Sequence, residues 1–253
     1  MLDQLTYLLL QVRNSDDPMR QQEVRSFARA LQTTTARIDV FDLLSGPLRE
    51  ADCRQADVIL LGGSGHYSVA QNVEQQGDWL PRALDSLRLV CELDRPVFAS
   101  CWGFQAVARA LGGRVERHPE RAEVGTHQLF LTEAGQADPV FGVLAGGFTG
   151  QMGHEDHVVE LPPDAVLLAS SDLVRNQAYR LADRPVYCTQ FHPELNRSDL
   201  VERVNAYPRY VEEIAGQPFD EFLATVTDTP DSERLLSRFA AHAAAGRPLR
   251  TSR

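Results

Sequence analysis

The sequence contains no lysine, because all 25 of its basic residues are arginines. A chain without lysine cannot form a Schiff base, lacks the phosphate-binding lysine of a P-loop, and cannot use a Ser-Lys catalytic pair. Aspartate and glutamate number 35, which gives a formal net charge of -10 at pH 7. Nucleic-acid sites need clustered positive charge, so this balance disfavours a nucleic-acid partner.

Cysteines are few and long apolar runs are missing. The longest fully apolar run near the N-terminus, 8–10, is far too short for a membrane span or a signal peptide, so we expect a cytoplasmic protein with no membrane contact. No HExxH motif or Cys/His cluster occurs, and we predict no metal site. The cysteines show neither CxxC spacing nor the density of a disulfide scaffold, so reduced thiols are expected at Cys53, Cys91, Cys101 and Cys188.

The first hundred residues alternate between strand and helix patterns. A helical stripe over 19–32 and another carrying Trp79, Leu80 and Leu87 separate the apolar runs. This alternation is typical of βαβ units, and it predicts an α/β fold with a parallel sheet, helices on both faces and ligands at the carboxyl ends of the strands. The predicted strands are 5–12, 38–41, 57–61 and 97–99.

The pattern changes after residue 114. Short strand-like runs without long helices between them predict an antiparallel extension of the sheet, and they cover 128–132, 147–151, 157–161, 166–170 and 177–181. A further strand is predicted at 185–190, and helical patterns follow at 198–215, 219–226 and 231–245. We expect residues 1–197 to form one domain and residues 198–253 to form a helical extension packed on it.

The segment 95–113 places a cysteine between a predicted strand and a predicted helix. A turn this sharp leaves the side chain of Cys101 projecting beside the free N–H groups of the helix N-terminus. Because a helix N-terminus favours negative charge, it stabilises both a thiolate and an oxyanion, and Cys101 is a candidate nucleophile. The alternative is a buried structural cysteine.

The glycine-rich turn at 62–65 follows the predicted third strand. It does not match GxGxxG or GxxxxGK[ST], which disfavours dinucleotide and P-loop binding. A plain tight turn and one wall of an oxyanion hole both remain open.

A second informative segment, 189–194, ends a predicted strand with His192, and Glu194 follows two residues later. A histidine with a nearby carboxylate supplies a base and a group to orient it. An ordinary surface loop is the alternative for the tripeptide alone. The predicted strands before Cys101 and His192 would end together at the carboxyl edge of one parallel sheet, which favours the catalytic interpretation.

These segments resemble the class I glutamine amidotransferase family, in particular its free-standing members related to the amidotransferase domain of GMP synthase and to γ-glutamyl peptidases. The family's G-x-C-x-G-x-Q motif corresponds to ASCWGFQ at 99–105, and its xQFHPE block is TQFHPE at 189–194. Its G-G-P-x-S-V turn corresponds to GGSGHYSV at 62–69, and S-H-G-D-x-V corresponds to GHEDHV at 153–158.

The resemblance implies a Cys-His-Glu amidohydrolase that forms a γ-glutamyl thioester. Cys101 would be the nucleophile, His192 the general base and then acid, and Glu194 the group that orients His192. The backbone N–H groups of Gly63 and Trp102 would stabilise the oxyanion.

The resemblance also implies a flavodoxin-like, mostly parallel sheet with helices on both faces and an antiparallel extension. It implies a small γ-glutamyl amide substrate and no cofactor. The residues expected to bind the substrate are Gln105, Gly62, His154 and Asp156.

The sequence departs from the family pattern at four positions, where Ala99 replaces a glycine, Ser64 a proline, Phe104 a common histidine and Gly153 a serine. A methyl group on a sharp elbow is unfavourable at positive φ, so we expect negative φ at Ala99.

Three functional hypotheses remain. The protein could act alone on γ-glutamyl amides, serve as a glutaminase subunit that supplies ammonia to a separate GMP synthase-like synthetase, or be a non-catalytic regulatory member of the family.

Overall fold

The computed structural model describes residues 4–74, 77–93, 95–144 and 146–245, so residues 246–253 of the expected helical extension lie outside the described residues. The strands are β1 (Tyr7–Gln11), β2 (Ile38–Asp42), β3 (Val58–Leu61), β4 (Val97–Ser100), β5 (Arg114–Arg117), β6 (Glu123–Leu131), β7 (Gly147–His154), β8 (Asp156–Glu160), β9 (Ala165–Ser170), β10 (Ala178–Leu181) and β11 (Val186–Thr189). The α-helices are α1 (Met19–Ala30), α2 (Glu50–Cys53), α3 (Trp79–Glu92), α4 (Trp102–Ala110), α5 (Glu133–Ala137), α6 (Arg197–Ala206), α7 (Phe219–Thr225) and α8 (Pro230–Ala245).

The main sheet has nine strands in the order β2-β1-β3-β4-β11-β10-β9-β6-β7. The first five run parallel, and each later neighbour pairs antiparallel. The predicted flavodoxin-like parallel sheet with an antiparallel extension is therefore confirmed. Strands β4 and β11 are parallel neighbours, so the segments after Ser100 and Thr189 emerge side by side at the carboxyl edge.

The parallel strands β1, β3, β4 and β11 are buried on both faces, whereas the edge strand β2 is partly exposed. Along β1, Leu8 and Leu10 pack with the core that contains α3 and α4, whereas Leu9 packs with the core that contains α1 and α8. Because successive side chains of a strand point to opposite faces, a strand buried on both sides is apolar throughout. The continuous apolar runs of the sequence follow from this arrangement.

One predicted strand of the antiparallel extension lies elsewhere. The run predicted at 157–161 forms β8, which pairs with β5 in a separate two-stranded sheet. The Asp156 backbone oxygen accepts a hydrogen bond from Gln105 Nε2, and Ser68 Oγ donates to the Asp156 carboxylate. These bonds hold the start of β8 beside α4.

The helix predicted over 198–215 is broken. Helix α6 ends at Ala206, and Tyr207 has φ -127° and ψ 68° because the residue before a proline, here Pro208, avoids helical geometry. A π-helical turn, Tyr210–Ala215, follows and ends at Gly216.

The segment after β11 has its own small core and also covers the main sheet. Leu195, Leu200 and Val204 pack with residues of the π-helical turn and α7. On α8, the ring of Phe239 lies against those of Phe98 and Tyr187. None of the helices in the described ranges is long and apolar enough to span a membrane.

Candidate active site

Cys101 occupies a strained turn between β4 and α4. Its backbone has φ 53° and ψ -106°, and Gln32 is the other non-glycine residue with positive φ in the described chain. The Cys101 N–H donates to Thr189 O at 2.8 Å, and its carbonyl accepts from Gln105 N at 3.1 Å. Hydrogen bonds at both the N–H and the carbonyl keep this strained residue in place, so its side chain points in one direction, as in a nucleophile elbow.

Close packing explains the glycine after the cysteine. A Cβ on Gly103 would lie 2.6 Å from Leu61 Cβ and 3.3 Å from Ala99 Cβ. Ala99 itself is a buried residue of β4 and is not among the positive-φ residues, which confirms the prediction of negative φ. The elbow strain is therefore confined to Cys101, and the methyl group of Ala99 fits within the strand.

His192 lies next to Cys101 because of the turn after β11. Thr189 Oγ1 donates to Phe191 O at 2.8 Å, and the His192 N–H donates to Gln151 O at 2.9 Å. His192 Nδ1 is 2.6 Å from Glu194 Oε1, and both side chains are buried. The carboxylate therefore fixes the orientation of the imidazole.

Opposing effects set the protonation of this buried pair. Burial acts to lower the pKa of His192, but the charge of Glu194 and the Cys101 side chain outweigh it and raise that pKa to about 9. Burial acts to raise the pKa of Glu194, but His192 and then Arg203 outweigh it and lower that pKa to about 2. Both shifts favour an imidazolium beside a carboxylate.

Arg203, on helix α6, lies beside the His192–Glu194 pair. Its Nη1 lies 3.5 Å from Glu194 Oε1 and 3.3 Å from His192 Nδ1, while its Nε donates to Gln22 Oε1 at 3.0 Å. None of the family-like motifs contains Arg203. Only the fold of the C-terminal segment brings it to the site.

A buried carboxylate supports the glycine turn. The Gly63 N–H donates to Glu23 Oε1 at 3.1 Å, and a Cβ on Gly62 would lie 2.3 Å from the same oxygen. A Cβ on Gly63 would lie 2.9 Å from His192 Cε1 and 3.6 Å from Cys101 Cβ. The turn thus passes between Glu23 and the Cys101–His192 pair, with no room for a side chain at either glycine.

We expect Glu23→Gln to lower the free energy of unfolding by about 3 kcal/mol, because Arg13 loses one of its two buried carboxylate partners. Glu23 is fully buried and accepts from Arg13 Nη2 at 2.9 Å and from Arg13 Nε at 3.1 Å. Urea unfolding measures the change. As a control, Glu202→Gln removes the exposed partner of Arg25 and should change stability by less than about 0.5 kcal/mol. Equal effects of the two changes would contradict the prediction.

Three of the four predicted substrate-binding residues lie beside Cys101. Gln105 Nε2 donates to Asp156 O at 2.9 Å and to Gln190 Oε1 at 3.0 Å. His154 is buried, with Nε2 3.1 Å from Glu123 Oε2 and Nδ1 3.1 Å from Asp156 O. The fourth, Gly62, lies beneath the turn against Glu23.

Two cavities meet at Cys101. The first, here called the polar cavity, is bordered by both charge signs and includes Gln105, Arg117, Glu155, Asp156 and Arg209. The second, here called the apolar cavity, contains His192 and the aliphatic side chains of Val124, Met152, Leu195, Leu200 and Val204. Gly153 and Tyr210 border both. Within the described ranges, no group of three or more His, Cys, Asp or Glu side chains could hold a metal ion.

The sequence profile of the family described as "Glutamine amidotransferase class-I" matches residues 19–203. The chain belongs to this family. It is 30% identical to gamma-glutamyl peptidase 4 of Arabidopsis thaliana over 66% of this chain and 67% of that protein. It is 29% identical to a glutamine-hydrolyzing GMP synthase subunit of Methanothermobacter thermautotrophicus, over 62% of this chain and 76% of that one.

The fold of this class I glutamine amidotransferase also matches a solved structure. A glutamine amidotransferase from Thermotoga maritima superposes with a TM-score of 0.73 and 18% identity, over 94% of this chain and 97% of that chain. The profile match ends at residue 203. Val204, Arg209 and Tyr210, which border the cavities at Cys101, therefore lie beyond the matched region.

Proposed function

We propose that the protein is a cysteine-dependent amidohydrolase that cleaves the γ-amide of glutamine or of a γ-glutamyl compound. The observation that carries this proposal is the strained Cys101 elbow beside His192, whose Nδ1 lies 2.6 Å from Glu194 Oε1. A nucleophile, a base and an orienting group in this order form the minimal set for acyl transfer.

The thiol proton of Cys101 passes to His192, the sulfur attacks the γ-carbonyl carbon, and a C–S bond forms as the carbonyl oxygen becomes an oxyanion. When the C–N bond breaks, the His192 imidazolium donates a proton to the leaving nitrogen. The γ-glutamyl thioester is then hydrolysed: His192 accepts a proton from water as the water oxygen bonds to the acyl carbon, the C–S bond breaks, and glutamate leaves with the sulfur and the protonated His192 as they were before the attack. Each step uses side chains, backbone and water, so the proposal includes no metal or organic cofactor.

Backbone N–H groups of Trp102 and Gly63 are the proposed oxyanion donors. Trp102 is the first residue of α4, so its N–H has no partner within the helix. The Gly63 N–H donates to Glu23, and the oxyanion has to replace that carboxylate as its acceptor.

The polar cavity is proposed to hold the α-amino acid end of the substrate, which carries one positive and one negative charge. Arg117 and Arg209 match the carboxylate, and Glu155 and Asp156 match the ammonium group. Arg117 is bonded to Asp156 and Arg209 to Glu155, so the cavity is already charge-balanced. Gln105 and the backbone around His154 form its inner wall.

The proposal is tested by incubating the purified protein with glutamine and a panel of γ-glutamyl peptides, and measuring release of ammonia or amine. We expect release from at least one substrate, a γ-glutamyl adduct on Cys101 detected by mass spectrometry, and labelling of Cys101 by a diazoketone analogue of glutamine. Absence of both turnover and labelling would overturn the proposal.

A second candidate is a glutaminase subunit that supplies ammonia to a separate synthetase. The similarity to the GMP synthase subunit of Methanothermobacter thermautotrophicus favours it. In that case glutaminase activity rises when the synthetase and its substrate are added, whereas full activity in isolation counts against it. Labelling of Cys101 would count against the third hypothesis, a non-catalytic regulatory member.

A further inference from the structure

In the proposed reaction, the leaving group lies on one defined side of the active site. His192 borders the apolar cavity and is absent from the residues that border the polar cavity. The leaving nitrogen must come within hydrogen-bond reach of the acid that protonates it. The α-amino acid end of the substrate, which carries one positive and one negative charge, needs the charged walls of the polar cavity. The leaving nitrogen and its substituent therefore point into the apolar cavity.

We propose, on the basis of the function proposed above, that the preferred substrates are secondary γ-glutamyl amides whose nitrogen carries an apolar substituent. The walls of the apolar cavity include the side chains of Leu195, Leu200 and Val204. Ammonia gains nothing from aliphatic walls, whereas an alkyl or aryl group is stabilised by leaving water. An unsubstituted amide such as glutamine would leave this cavity unfilled.

The aliphatic walls are part of a packed core. Leu195, Leu200 and Val204 are each no more than 3% exposed, and they belong to the cluster that also holds Val211 and Phe222. A wall supported in this way keeps its shape when a substituent binds, which favours selection by size.

The cations beside the cavity are already paired. Arg13 bonds Asp17 at 3.1 Å and Glu23 at 2.9 Å, and Arg203 lies 3.5 Å from Glu194 and 3.8 Å from Glu23. Two arginines facing three carboxylates leave no net positive charge to bind an acidic leaving group. The cavity therefore favours an uncharged substituent over the carboxylate of a second amino acid.

Val204 and Tyr210 border this cavity and lie beyond residue 203, where the family match ends. Tyr207 also follows that point, and a Cβ on Gly65 would lie 2.6 Å from its ring. Its hydroxyl donates to Asp17 Oδ1 at 2.6 Å, which holds the ring against the glycine turn. The C-terminal segment thus supplies walls that the motifs of the family do not specify.

The experiment compares kcat/KM for glutamine with the γ-glutamyl amides of n-pentylamine, benzylamine, 1,4-diaminobutane and 4-aminobutyrate. Pentylamine and diaminobutane differ by a terminal methyl in place of an ammonium group, so they form a matched pair. We expect the pentyl or benzyl amide to exceed glutamine and both charged amides by about tenfold or more, since apolar pockets discriminate on this scale.

A variant that fills the apolar cavity tests whether the amide substituent binds there. Val204→Phe should lower the pentylamide-to-glutamine ratio of kcat/KM by about tenfold. Val143→Phe makes the same change at a side chain that is 50% exposed, and it should leave the ratio unchanged. If Val204→Phe does not fold, Val204→Ala enlarges the cavity instead and should shift the preference from the pentylamide towards the cyclohexylmethylamide.

Hydrolysis of glutamine with equal or slower turnover of the alkyl and aryl amides would overturn this inference and leave the proposed function standing. Preference for either charged amide, or unchanged ratios in both Val204 variants, would also overturn it. No turnover of any substrate would overturn the inference together with the proposed function.

Discussion

Cys101→Ala is expected to lower the release of ammonia or amine from every γ-glutamyl substrate by a factor on the order of 10⁴ or more, because no other group replaces a missing nucleophile. The thioester adduct and labelling by the diazoketone should disappear as well. Amine release and intact-protein mass spectrometry provide the measurements. Residual turnover within about tenfold of wild type would show that Cys101 is not the nucleophile.

The same position carries a stability prediction that is independent of activity. Glycine adopts φ 53° without steric strain, so Cys101→Gly should be more stable than Cys101→Ala by about 1 kcal/mol, measured by urea unfolding. The opposite sign is expected within α4, where Ala108→Gly should cost at least about 1 kcal/mol. If glycine is less stable than alanine at both positions, the elbow carries no strain.

Glu194→Gln is expected to lower kcat/KM by about 10² to 10⁴-fold, since His192 loses the carboxylate that orients its ring and stabilises its protonated form. With the carboxylate gone, burial is opposed by the Cys101 side chain alone among the groups that raise this pKa, so the pKa of His192 should fall below its value of about 9. NMR titration of the imidazole and the pH dependence of Cys101 alkylation measure this shift.

The Glu194–His192 pair also makes the free energy of unfolding depend on pH. Glu194 has a lowered pKa, so its contribution is present above the unfolded value of about 4.3 and is lost as pH falls towards about 2. His192 has a raised pKa, so its contribution is full below about 6.5 and is lost as pH rises through about 9. The free energy of unfolding of the wild type, compared with that of Glu194→Gln, should therefore decrease at both low and high pH.

The chain offers a matched control, because the tripeptide His-Pro-Glu occurs twice. At 118–120, His118 Nδ1 lies 3.1 Å from Glu120 Oε1, with the glutamate side chain 65% exposed. Glu120→Gln should leave both kcat/KM and the titration of His192 unchanged. An effect as large as that of Glu194→Gln would indicate a general charge effect rather than orientation of His192.

Much of the architecture followed from local patterns. Apolar runs alternating with helical stripes predicted the parallel strands up to β4, because a strand buried on both faces is continuously apolar and a helix buried on one face has a periodic apolar stripe. The break at Pro208 was missed, although the restriction that a proline places on the residue before it is a local signal. The pairing of β8 with β5 was missed because the run at 157–161 has the same local pattern as the strands of the main sheet, and the choice of partner strand depends on residues far away along the chain.

The sequence by itself determined the fold class, the strand-to-helix elbow at Cys101 and the pairing of a histidine with a glutamate two residues later. The sequence also selected His192, because TQFHPE ends a predicted strand, and the tertiary structure added that this copy of His-Pro-Glu is buried whereas the copy at 118–120 is partly exposed. Only the tertiary structure decided that Arg203 approaches Glu194, that Glu23 supports the Gly63 turn, and that a charged and an apolar cavity meet at the thiol. These contacts join residues far apart in the chain, and no local periodicity encodes such pairs.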